Sequence, residues 1–223
     1  MFIQQILHKP ELSKADIVCL LNATGEDMEL LFNHAARIKQ QYIGNTVHLR
    51  ALVELSNSCE KDCYYCGIRK SNSNVHRYSI SENEVLEVIK YAYENGYGSV
   101  ALQSGEIQSN AFTEKITRIL QKTSKLTHRE LGVTLSCGEQ TEETYRKWME
   151  AGANRYLLRI ETSNPELYRK LHPNDDIHRF ERRLEALEML KKTGYQVGTG
   201  VMIGLPFQTI ENLADDLLFM KHF

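Results

Sequence analysis

The sequence predicts an α/β protein: a parallel (β/α) barrel of the TIM type, incomplete at about five βα units and preceded by a helical cap. Three observations predict it. Short apolar runs alternate with amphipathic helical stretches, the pattern of parallel strands joined by right-handed helical crossovers. The turn after the first strand carries cysteines, where a doubly wound nucleotide-binding sheet would carry a glycine-rich phosphate loop. The polar residues able to do chemistry fall at the carboxyl ends of the strands, where barrels of this kind hold their sites.

Residues 1–45 form the predicted cap, with helices over 13–22 and 26–42. Ser13 and Asp16 make an N-terminal capping pattern, and Leu30, Leu31, His34, Ile38 and Tyr42 fall near helical spacing before Gly44. Residues 46–223 form the barrel core. A strand over 47–55 leads into the cysteine loop and a polar stretch to Tyr78. Ser81-x-x-Glu84 is a capping box that opens a helix ending at Asn95 and Gly96. Then come a strand over 99–103, a helix over 109–125, a strand over 133–136 and a helix over 141–151. A strand over 155–161 precedes helical segments at 165–171 and 179–192, the second stopped by Gly194. The last pair is a strand over 195–203 and a helix over 210–221, joined through Gly204-Leu205-Pro206. A standard barrel needs eight such units. The expectation is therefore a fragment or truncated product that lacks the barrel's C-terminal third and leaves a parallel edge uncovered.

With 223 residues, 42% of them apolar, the chain can bury one substantial core. A net charge of −2 gives no electrostatic argument for nucleic acid or an anionic membrane as partner. No apolar run approaches a membrane span, and Met1-Phe-Ile-Gln-Gln lacks a signal pattern, so a soluble cytoplasmic protein is expected. The five cysteines are odd in number and three are clustered, which points to metal ligation in a reducing compartment over a disulfide framework. Cys19, among Ile17, Val18, Leu20 and Leu21, reads as a small core residue, and Cys137, after a strand, as a packed thiol.

The clustered three are Cys59, Cys63 and Cys66, spaced C-x3-C-x2-C with Tyr65 before the last. Soft thiolates favour zinc and iron–sulfur clusters. A four-iron cluster takes four cysteines, and a local group of three leaves one iron open to a substrate or cofactor. Zinc is the alternative, with His48 or His76 completing a Cys3His site. A redox pair Cys63–Cys66 is weaker because it leaves Cys59 unexplained. Period-two alternation on strand four puts Arg155, Leu157, Arg159 and Glu161 on one face, and Tyr156, Leu158 and Ile160 on the other. Charges inside a parallel strand are costly unless paired or ligand-facing. That face therefore lines a polar lumen, or else forms a structural Arg–Glu network. Thr134 and Ser136 share a face of strand three, and Ala101 and Gln103 one of strand two, where a satisfied core polar group is the plainer reading. Gly105 lets a ligand approach the main chain closely.

C-x3-C-x-aromatic-C after the first strand of such a pattern resembles the signature of the radical S-adenosylmethionine (SAM) superfamily. Within it, His48-x-Arg50, Gln103-Ser104-Gly105-Glu106, Thr134-x-Ser136-Cys-Gly-Glu139, Arg155-x3-Arg159-Ile-Glu161 and Gly204-Leu-Pro206-x-Gln208 resemble the HydE family of [FeFe]-hydrogenase maturases, from about residue 26 onward. Biotin synthase and methylornithine synthase share the cysteine motif and match the others less well. The resemblance implies a [4Fe-4S] cluster on Cys59, Cys63 and Cys66, with SAM on the fourth iron and cleaved reductively there. It also implies that Tyr65 packs beside the adenine and that Ser104, Gly105 and Glu106 bind the SAM amino group. Ser136, Glu161 and Arg183 would contact ribose and carboxylate, and Met202 the adenine side. Arg182 adjoins Arg183, and the loop before them is longer than the family's. Gln103, Thr134, Arg155 and Arg159 would face the substrate, by resemblance an organometallic iron–cysteine compound. Companion maturases, a ferredoxin-type reductant and a scaffold GTPase are the implied partners. Ile160 stands where the family often has His, on the side away from the lumen. Because the family's last three strands are missing from the pattern, cofactor loading is expected and full turnover is expected to be impaired.

Overall fold

In the computed structural model, which describes residues 2–223, five parallel strands alternate with helices in the predicted order. The elements are α1 (Phe2–Leu7), α2 (Lys14–Leu21), α3 (Gly25–Tyr42), β1 (Ala51–Ser56), α4 (Glu82–Glu94), β2 (Ser99–Ser104), α5 (Asn110–Leu126) and β3 (Gly132–Ser136). They continue with α6 (Glu142–Ala151), β4 (Arg155–Leu157), α7 (Pro165–Leu171), a 3-10 turn at Asp176–His178, α8 (Phe180–Thr193), β5 (Gln196–Gly198) and α9 (Ile210–His222). Contacts divide the chain into two units. One holds residues 1–48, 161–167 and 201–223; the other holds 49–160 and 168–200.

The second unit carries the whole sheet. Its strands pair in sequence order, β1-β2-β3-β4-β5, all parallel. Every crossover therefore steps the same way, as in a (β/α) barrel, whereas a doubly wound sheet reverses its order part-way. The two outer strands do not meet, so the sheet is an open arc. One face is apolar: Val53, Leu55, Val100, Leu102, Val133, Leu135 and Tyr156 are buried. The helices answer with Val85, Ile89, Ile116, Ile119, Leu120, Tyr145, Trp148, Leu187 and Leu190. On the other face the register aligns Leu52, Ala101, Thr134, Arg155 and Gln196 in one row and Glu54, Gln103 and Ser136 in the next. Thr134 thus lies beside Arg155, and Gln103 beside Ser136, all four on the face expected to line a lumen.

Helix ends follow the sequence signals. Ser81 and Glu84 form the expected capping box, Thr141 caps α6, and Gly152 and Gly194 stop α6 and α8 at positive φ. Three strands differ from expectation. Residues 47–50 are not strand, because no neighbour pairs with them, and Val47 and Leu49 are exposed. β4 stops at Leu157 and β5 at Gly198, after which the ladder gives way to a single bridge between Glu161 and Val201. Alternation of side chains continues past the pairing that defines a strand.

In the first unit, α2 packs on α9, and Lys14 pairs with Asp215 at 2.6 Å. Ser13 and Asp16 make a reciprocal capping box. α3 forms where predicted but buries no residue: Met28, Phe32, Ile38 and Tyr42 on it are exposed. Cys19, expected in the core, is half-buried on α2. No helix among the described residues is long and apolar enough to cross a membrane.

Candidate active site

The cysteine loop leaves β1 and runs against the turn that follows β2. The Gly105 N–H donates to the Ser56 carbonyl at 3.0 Å, and the Glu60 N–H to the Glu106 carbonyl at 2.8 Å. The Glu106 N–H points at Cys59 Sγ, 3.4 Å away. Gly105 is required by space: a Cβ there would lie 2.1 Å from the Ser58 carbonyl oxygen and 2.9 Å from Cys59 Cβ. The other rim of the loop is tied by Asn57 and Arg77. Asn57 bonds the main chain at His76 and Tyr78, at 2.7 and 2.8 Å. The Arg77 guanidinium donates to four carbonyls, those of Asn57, Ile68, Arg69 and Asn72.

All three clustered cysteines are free thiols and half-buried. Burial pushes Cys63 up to about 11, against the opposing pull of Arg183 and a hydrogen bond with Tyr65. Burial also raises Cys59, against the amides of Lys61 and Glu106 that favour its thiolate. A metal must displace those protons, and amide donors aimed at sulfur stabilise the resulting thiolates. Zinc would need its ligands on one point at about 2.3 Å; among the described residues no three His, Cys, Asp or Glu converge in that way. Cluster thiolates bind separate irons, so three cysteines that share no common ion site can still serve a four-iron cluster. Cys137 is fully buried with its thiol raised to about 11 by burial, which supports the packed reading.

Behind the loop sits a charge network that sequence reasoning did not single out. Lys61, between the first two cysteines, reaches Glu139 at 2.9 Å, Glu106 at 3.1 Å and the Ile177 carbonyl. Arg183 Nε bonds Glu139 at 2.7 Å, its Nη1 donates to the Arg159 carbonyl at 2.9 Å, and its Nη2 lies 3.7 Å from Glu106. Arg182 adds a third cation to Glu139 at 3.0 Å. Arg183, not Arg182, is the buried member of the pair. Burial and the neighbouring Glu139 charge raise Glu106. Burial pushes Glu139 up too, but the charges and hydrogen bonds of Arg183 and Lys61 outweigh it and hold the carboxyl below its usual range. Gly138 makes room for Glu106: a Cβ there would fall within 2.5 Å of that side chain.

Tyr65 is oriented by His172, hydroxyl to Nε2 at 3.1 Å, while His172 stacks on Tyr168 at 3.9 Å between centroids. Burial lowers His172 to about 4 from an ordinary 6.5. The fold thus favours the neutral ring, and its contribution is complete above pH 6.5 and lost as pH falls from 6.5 towards 4. The loss is at most about 3 kcal/mol. Urea midpoints of the metal-free protein at pH 7.5 and pH 5 are expected to show it, and His172→Gln is expected to flatten that dependence.

Of the other expected residues, Thr134 is buried and its hydroxyl has no hydrogen-bond partner, an unusual state for a core polar atom. Gln103 and Ser136 are half-buried neighbours on adjacent strands. Arg155 donates to Gln196 at 2.8 Å across the β4–β5 pair. Arg159 is exposed and Ile160 fully buried, as the alternation requires. In the first unit, Glu161 is buried with φ of 68°, and its carbonyl accepts from the Met202 N–H at 2.9 Å. Gln208 then ties the following turn to the Gly204 N–H and the Met202 carbonyl, both at 2.8 Å.

A three-thiol loop at the carboxyl end of a sequentially wound parallel sheet defines a class. The chain belongs to the radical SAM superfamily, whose model matches residues 53–220, and that family uses a [4Fe-4S] cluster and SAM. Over 193 residues it is 47% identical to the [FeFe] hydrogenase maturase subunit HydE of Thermotoga maritima, covering 86% of this chain and 53% of that protein. The crystal structure of methylornithine synthase (PylB) superposes with a TM-score of 0.86 at 26% identity, covering all of this chain and 64% of the other. The [FeFe]-hydrogenase maturase HydG gives a TM-score of 0.82 at 26% identity, covering 99% and 49%. The chain spans about half the length of the maturase HydE that it matches.

Proposed function

We propose that this chain is the cofactor-binding part of a HydE-like radical SAM enzyme acting in assembly of the [FeFe]-hydrogenase di-iron subcluster. The observation that carries the reading is the cysteine loop itself. Three free thiols are wrapped on the Gly105–Glu106 main chain, with an amide donor aimed at Cys59 Sγ. Cys59, Cys63 and Cys66 hold the cluster. When bound, cluster and SAM supply one-electron chemistry, the reductive cleavage of SAM to methionine and a 5′-deoxyadenosyl radical.

The protein's share is to hold and orient. By resemblance to the family, Tyr65 packs beside the adenine and Ser136 takes the ribose and carboxylate end. Glu106 and Arg183 suit an amino-acid zwitterion, because one meets an ammonium and the other a carboxylate. The two lie 3.7 Å apart, too long for a hydrogen bond between them, and in the ligand-free protein Lys61 answers Glu106 while Glu139 answers Arg183, so a ligand would have to compete with those partners. Gln103, Thr134, Arg155 and Arg159 face the substrate. By likeness to the maturase relative, that substrate is an organometallic iron–cysteine compound, and the partners are companion maturases and a ferredoxin-type reductant. Free cysteines throughout suit a reducing cytoplasm.

Anaerobic reconstitution with iron and sulfide, followed by SAM and dithionite, tests the reading through release of 5′-deoxyadenosine. A brown protein that releases it is expected. Cys59→Ala is expected to lose both colour and cleavage. A colourless wild-type protein that releases none sinks the proposal, and formation of 3-methylornithine or biotin in place of a hydrogenase-maturation product would move it to another branch of the family.

A further inference from the structure

The segment between α7 and α8 runs along the cysteine loop and bonds residues on both sides of Cys63. The Asp62 N–H donates to His178 Nε2 at 2.8 Å, and the Tyr64 N–H to the Leu171 carbonyl at 3.0 Å. Lys61 Nζ donates to the Ile177 carbonyl, and the Tyr65 hydroxyl meets His172 Nε2 at 3.1 Å. A run of five residues, 61–65, thus makes four bonds to a segment of eight, 171–178.

His178 is the unusual partner. It is 4% exposed, and its Nδ1 lies 2.7 Å from Asp175 Oδ1. A ring nitrogen that accepts an amide N–H carries no proton, so the ring proton must sit on Nδ1 and point to Asp175. Asp175 is itself fixed, because it accepts from the amides of Ile177 and His178, each at 3.1 Å. The aspartate therefore selects the tautomer that presents a lone pair to the main chain of the cysteine loop. The acceptors for the Asp62 and Tyr64 amides thus come from a remote segment, not from the loop.

We propose that residues 171–178 form a clasp that sets the main chain around Cys63 before any cluster is bound, with His178 as its positioning residue. The inference rests on the reading that Cys59, Cys63 and Cys66 receive a cluster. It adds that the receiving shape is built by the clasp and not imposed by the metal. Chain that is already ordered gives a ligand its full intrinsic affinity.

Amide hydrogen exchange in the metal-free protein tests it. The Asp62 and Tyr64 amides are expected to be protected in the wild type. His178→Phe, which keeps the bulk and removes the acceptor, should speed their exchange about five- to tenfold while amides of β2 and β3 stay unchanged. His178→Gln, whose carbonyl can accept the same N–H, should restore protection. After reconstitution, His178→Phe should lose iron to a chelator faster by a similar factor, and His178→Gln should not. Wild-type amides that exchange freely overturn the proposal, as does a His178→Phe protein with unchanged exchange. Should His178→Phe fail to fold, the wild-type exchange and His178→Gln decide alone. A wild-type protein that takes up no cluster at all refutes the cofactor reading instead, and the two failures are thereby told apart.

Discussion

Gly105→Ala is expected to lose about ten- to a hundredfold in cluster retention while the sheet still folds. The added Cβ would stand 2.1 Å from the Ser58 carbonyl oxygen, an overlap with backbone that no rotamer can relieve. Either the loop carrying Cys59 or the turn carrying Glu106 must move, and the two are joined through the Glu60–Glu106 and Glu106–Cys59 bonds. Overpacking costs about 1–3 kcal/mol, and 1.4 kcal/mol is a factor of ten in affinity. Iron per chain after gel filtration measures the loss, with circular dichroism as the check on the fold. Gly67→Ala, where a Cβ meets nothing within 4 Å, is the control expected to change neither.

The second large effect is on stability. Glu139→Gln is expected to destabilise the metal-free protein by about 3–5 kcal/mol, because it strips one charge from a buried set and leaves its partners in place. Glu139 is 2% exposed and answers Lys61, Arg182 and Arg183. Without its charge, Lys61 and Arg183 share Glu106 alone. Urea unfolding reads the difference. The double change Lys61→Met with Glu139→Gln should recover part of it, since it also removes one of the buried cations that Glu139 answers, while Arg183 remains. Recovery of nothing would mean that Lys61 is not the partner that matters.

Much of this architecture was legible in the sequence, for physical reasons. Capping residues and positive-φ glycines mark helix ends locally, so α4, α6 and α8 could be placed to within a residue or two. Strand alternation correctly separated Tyr156, Leu158 and Ile160 from Arg155 and Arg159. It could not show where pairing stops, because pairing depends on a neighbour distant in sequence; β4 and β5 therefore came out shorter than predicted. The same limit hid the charge network. Lys61 and Glu139 lie 78 residues apart, and no local pattern links a lysine in a cysteine loop to a glutamate after a third strand. His178 was invisible for a like reason, lying in an irregular stretch with no periodicity to read.

Glu161 shows how a backbone angle can speak for a side chain. Its φ of 68° lies in the left-handed region, where glycine sits freely and a glutamate is strained. The chain holds that conformation with a buried carboxylate, at a cost of roughly 1–3 kcal/mol. Glycine would ease the turn and discard the acid. On backbone grounds alone this position calls for glycine, and the chain accepts strain to keep an acid there.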